Sequence, residues 1–159
     1  HGSTALAVMR NIAKSDSSHF SAALWGCYYA KQLGDTVESY EFLKRLRRID
    51  ITAPIVGDWE AMRKLEEQMR KTRSARDRAS IHREISAIYA KLELYDEALD
   101  ALERAYAFMP DDVGILVARA QVFETKRALW GAQQTYRRIL ELEPANEIAR
   151  EKLRTGAAE

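Results

Sequence analysis

An all-α fold is predicted by three features of the amino-acid sequence. Glycine and proline number only 7 and 3 in 159 residues, while Ala, Leu, Glu, Arg and Lys, which lose little side-chain freedom on a helix, dominate. Apolar residues recur at intervals of three and four along the chain, the helical period. Nowhere do strand formers gather into an alternating run bounded by turns.

Taken in order, the first helix is expected over about 4–14, with Leu6, Ala7, Met9 and Ile12 on its apolar face and Ser3 as N-cap. A second, over about 19–33, is dense in Phe20, Leu24, Trp25 and Tyr28 and stops at Gly34. A third, over about 36–49, presents Val37, Tyr40, Leu43 and Leu46, with Lys44, Arg45, Arg47 and Arg48 near its C-terminus, where cations suit the helix dipole. ITAPIVG, with β-branched residues, Pro54 and Gly57, reads as a connector, and Asp58 then caps a helix over 59–73 with a narrow apolar face of Met62, Leu65 and Met69. RKTRSARDR closes it. From Ala79 the rhythm is regular, with helices near 79–92, 95–108, 113–126, 129–142 and 146–155.

That regularity is an internal repeat. Pro110 and Pro144 are 34 residues apart, as are Ala98 and Ala132, and Tyr89 and Phe123. The first helix of each unit carries a large residue, a small one and an aromatic: Ile85, Ser86, Tyr89, then Arg119, Ala120, Phe123. The second helix carries Ala98, Leu102, Ala105 and Pro110, then Ala132, Tyr136, Ile139 and Pro144. Small side chains facing each other, Ser86 with Ala98 and Ala120 with Ala132, let two helices interlock, and proline ends the second one. Two-helix units of this period resemble the tetratricopeptide repeat (TPR) family. Arg119 departs from its usual leucine, and His82 and Leu116 from its common tryptophan.

The resemblance implies a right-handed α-solenoid of antiparallel helix pairs, about eight or nine helices in all. It divides the chain into N-terminal helices with a degenerate pair (1–50, the pair itself at about 19–50), a connector with an irregular helix (51–78), two clear units (79–144) and a capping helix and tail (145–159). In the degenerate pair, LWGCYYA echoes the large–small–aromatic triplet, but no single register satisfies both helices. In the last segment the repeat register puts Arg154 at the small position, which would block another packed second helix. A polar cap is therefore expected.

In such arrays the first helices line a concave face. The resemblance thus places Ser80, Arg83, Ala87, Lys91, Val117, Gln121 and Glu124 in a groove for a partner's peptide or helix. The family's lysine–asparagine clamp for chaperone C-termini finds Ala87 and Ala118 at its asparagine positions, so that use is not expected here. The implied function is a non-enzymatic protein–protein interaction module or scaffold, a piece of a larger protein in an assembly. Two alternatives are a secretion-type chaperone shielding an apolar client segment and a binder of an anionic polymer.

Charge is uneven. Net charge is +1, but residues 41–83 hold 12 basic and 7 acidic side chains and residues 84–112 hold 2 and 8. Arg70, Lys71, Arg73, Arg76 and Arg78 are the candidate contacts for an anionic partner. They lack interleaved aromatics, and the total charge is low for nucleic acid. A solvated connector pairing with the acidic run Glu93, Asp96, Glu97, Asp100 and Glu103 is the simpler expectation.

Other chemistry finds no footing in the residues. No cofactor or metal is expected: His19 and His82 have no ligand spacing around them, HREIS is not HExxH, and neither a phosphate loop nor a nucleophile elbow occurs. Cys27, the single cysteine, forms no intrachain disulfide and reads as a buried thiol. No apolar run approaches the ~20 residues that span a bilayer. The opening His1-Gly2-Ser3 reads as a remnant of expression, so localisation is left unassigned and self-association through array ends stays open.

Overall fold

In the computed structural model, which describes residues 1–155, the chain is all helical. Nine helices follow one another among these residues: α1 (Gly2–Ser15), α2 (Phe20–Gln32), α3 (Thr36–Ile49), α4 (Pro54–Lys71), α5 (Ala75–Lys91), α6 (Tyr95–Phe108), α7 (Val113–Thr125), α8 (Leu129–Leu142) and α9 (Glu147–Thr155). None is long and apolar enough to cross a membrane. Two compact units divide inside α4, between Ala61 and Met62, rather than at the expected 50 and 78.

In the first unit α1 packs on α2 and α2 on α3. Helix α2 buries its small residues, Ala22, Ala23, Gly26, Cys27 and Ala30, because it is flanked on two sides. Its rings are pushed outward; Trp25, Tyr28 and Tyr29 cluster with centroids 5.2–6.1 Å apart, and Trp25 is 41% exposed. The thiol of Cys27 is buried, lies 3.4 Å from Ser39 Oγ and is pushed up to about 11 by that burial. A Cβ on Gly26 would stand 2.4 Å from the Phe42 ring, so the glycine is the seat for that ring.

That seating explains why the register looked broken. Gly26 and Phe42 are 16 apart, the spacing of Ser86 to Leu102 and Ala120 to Tyr136, so the helix pair keeps the spacing while its residues differ. Glu38 stands where Ala98 and Ala132 stand, 12 residues after the small one. Half-buried, it takes both donors of the Arg10 guanidinium from α1 at 2.5 Å.

Several helix limits differ from the sequence expectation. Helix α1 begins at Gly2, so Ser3 lies inside it, and Ala7 is exposed. Val37 and Tyr40 are 73% and 40% exposed; α3 buries Phe42, Leu43 and Leu46 instead. The region 51–78 is not mainly an irregular connector. Pro54 opens α4, where its fixed φ and missing N–H are harmless, and Gly57 and Asp58 lie within the helix. Val56 and Trp59 join Met62 and Leu65 as its buried residues.

In the second unit α5 pairs with α6 and α7 with α8, α6 packs on α7, and α9 packs on α8. Helix α5 starts at 75, four residues early, because Ser74 caps the Asp77 N–H at 3.3 Å. Ser86, Ala98, Ala120 and Ala132 are all buried, as the packing argument requires. Leu116, Ala120, Ala132, Tyr136, Ile139 and Ala149 form one core cluster, with Val117, Phe123 and Leu153 packed against it. Glu93 and Arg127, 34 apart, turn the chain within each pair at φ 59 and 60, as Gly34 does at 77.

The departures from the repeat pattern have local partners. Arg119 spreads over the Phe123 ring, 5.6 Å from its centroid, and reaches Glu103 of α6 at 3.1 Å. Its alkyl stem does the packing of a leucine while the charge stays at the surface. His82 stacks on Phe108 with centroids 6.0 Å apart, and burial, then Arg104 and Arg78, lower its pKa.

Candidate functional site

In the second unit α5 touches α7 as well as α6, which puts the two predicted stripes on neighbouring helices. On α5, residues 76, 80, 83, 87 and 91 share a face at helical spacing: Arg76, Ser80, Arg83, Ala87 and Lys91. Arg76, Arg83, Ala87 and Lys91 are exposed; Ser80 is half-buried, with its hydroxyl 3.4 Å from Glu84. On α7, Gly114, Val117, Gln121 and Glu124 run alongside. A Cβ on Gly114 would lie 3.1 Å from Arg83 Nη1, so the bare backbone there makes room for the guanidinium. Gln121 is exposed. Val117 is half-buried and packs on the core cluster, so it is partly structural.

Glu124 is not a free acid on this surface. Its carboxylate meets Lys152 of α9 at 2.9 Å and receives the Tyr136 hydroxyl. Burial and that carboxylate together push the Tyr136 phenol up to about 12. Around this trio lies an open cavity of about 160 Å³, lined by Glu124, Leu129, Ala132, Gln133, Tyr136, Lys152 and Thr155. From the sequence only Glu124 is marked as a site residue. Ala132 and Tyr136 answer to the repeat skeleton, Lys152 to the cap, and no spacing signal joins them.

The basic group is divided by the fold. Arg78 turns inward, donating from Nε to the Thr72 carbonyl at 3.1 Å and lying 5.7 Å from the Phe108 centroid. It is a strut of the α4–α5 turn. Lys71 is tied to Glu67 at 2.7 Å. Arg70, Arg73 and Arg76 are exposed. Two members of the acidic run pair forward along the repeats, Asp96 with Lys126 and Glu103 with Arg119.

No family model matches the chain. Solved structures do. The Cut9–Hcn1 hetero-tetramer of the APC/C shares 19% identity over 85% of this chain and 29% of that one, with a TM-score of 0.54. The human IFIT1 dimer with m7Gppp-AAAA shares 14% over 99% and 42%, at 0.50. MamA shares 14% over 96% and 75%, at 0.47. The chain therefore spans less than half of the first two. The class defined by these helix pairs is the TPR-like helical repeat fold.

Proposed function

We propose that this chain is a non-enzymatic binding module that holds a segment of a protein partner along the α5–α7 face. The observation that carries the reading is the make-up of that face. Two adjacent first helices present small or exposed side chains, Ser80, Ala87, Gly114 and Gln121, and lead to the cavity beside Tyr136. Ala87, Gly114 and Gln121 are exposed, so these positions have no packing duty. The cavity takes one large side chain of the bound segment, over Leu129 and Ala132, with Gln133 and Lys152 at its rim.

The fold by itself leaves the ligand class open, since the similar structures include one named for protein partners and one for capped RNA. The residues favour protein: net charge is +1, and no aromatic row lies on the α5–α7 face. We also count α2–α3 as a third, degenerate unit, on the strength of the Gly26–Phe42 seat.

Ala87→Tyr with Gln121→Tyr tests the reading, because both positions are exposed and two rings would fill the face without entering the core. Affinity capture from a source lysate with wild type and variant should yield a partner that only the wild type retains. An unaltered denaturation midpoint is expected alongside. A partner held equally by both would move the binding surface elsewhere.

A further inference from the structure

Three exposed arginines, Arg73, Arg76 and Arg83, lie just before α5 and along its first half. Arg73, Arg76 and Arg83 make no ion pair among the described residues. The turn beneath them is fixed: Ser74 caps Asp77 N–H, the Thr72 hydroxyl reaches Asp77 Oδ2 at 3.3 Å, and Arg78 holds the Thr72 carbonyl. Among the acids of this region, Glu67 is paired with Lys71, Glu84 receives the Ser80 hydroxyl, and Asp112 caps the Ile115 N–H while lying across Gly114 from Arg83. Guanidinium groups meet carboxylates through paired N–H donors, which adds geometry to the charge attraction.

We infer that the partner segment is acidic and extended, and that its carboxylates dock on Arg73, Arg76 and Arg83 as it enters the α5–α7 face. The inference rests on that face being the binding face. Spacing makes it specific. Arg76 and Arg83 are seven residues apart on one helix face, about 10 Å of rise, which equals about three residues of a segment extended as polyproline II, where every third side chain returns to the same face. Two Asp or Glu residues separated by two others therefore match the arginine pair. The charges are side-chain carboxylates within a chain, since the positions that would clamp a C-terminus hold Ala87 and Ala118.

The probe is a fluorescein-labelled, C-terminally amidated peptide with two glutamates separated by two residues in a serine–glycine background, titrated into the full chain by anisotropy. Replacing both glutamates by glutamine should weaken binding about tenfold or more, as should Arg76→Glu with Arg83→Glu; the free-acid form should bind no better than the amide. Equal affinity for the glutamate and glutamine peptides, or indifference to the arginine reversals, overturns the proposal. So does a heparin fragment or a single-stranded oligonucleotide of equal charge that binds more tightly than the peptide through the same arginines. Binding that survives Ala87→Tyr with Gln121→Tyr but not the arginine reversals supports acidic recognition while overturning the face reading. The two can thus fail separately.

Discussion

A methyl group at position 26 would stand 2.4 Å from Phe42 Cε1, against a ring that is itself buried. Gly26→Ala is therefore expected to cost about 1–3 kcal/mol, and Phe42→Leu in the same chain to restore part of it, read as the urea midpoint. An unchanged midpoint in the single variant would mean the ring moves aside at no cost. The pair shows how one residue sets another's size. In the second unit serine and alanine at the matching position are followed 16 residues on by leucine and tyrosine, and in the first unit glycine by phenylalanine. Triplets of residue types marked the two clear units and were only echoed in LWGCYYA, where no single register fitted both helices. Only contact shows that a bare backbone and a large ring are the same joint filled differently.

At the scale of elements, the α4–α5 turn is where sequence reading went furthest astray. A run such as RKTRSARDR contains neither Gly nor Pro, and its charges mask the cap. Ser74 nonetheless starts α5, and Asp77 and Arg78 then face back onto Thr72. Ser74→Ala should cost about 1 kcal/mol by removing the cap. Arg78→Gln should also destabilise, while Arg76→Gln should leave the midpoint alone; thermal melts of the three separate strut from exposed charge. Matching losses for Arg76 and Arg78 would contradict the inward role of Arg78. The same logic covers α4, whose start at Pro54 was misread because proline signals a break as readily as a first turn.

Within each unit most contacts run between successive helices, as in repeat proteins whose stability sums local terms. Gly26→Ala should accordingly speed amide exchange in α2 and α3 and leave protection in α6 to α8 unchanged, measured by hydrogen exchange with mass spectrometry. Equal loss in both units would show one cooperative fold.

The sequence by itself determined the helical class, the 34-residue repeat, the small-residue contacts at 86, 98, 120 and 132, and the stripe on α5, because each follows from periodicity along one helix or from a fixed spacing between two. Tertiary structure alone decided which arginines face solvent, that Glu124 is held by Lys152 and Tyr136, that a cavity forms beside them, and that Phe42 sits on Gly26. Those facts depend on which side chains from distant segments meet across helices. Period fixes the face a residue occupies, and packing fixes what waits opposite it.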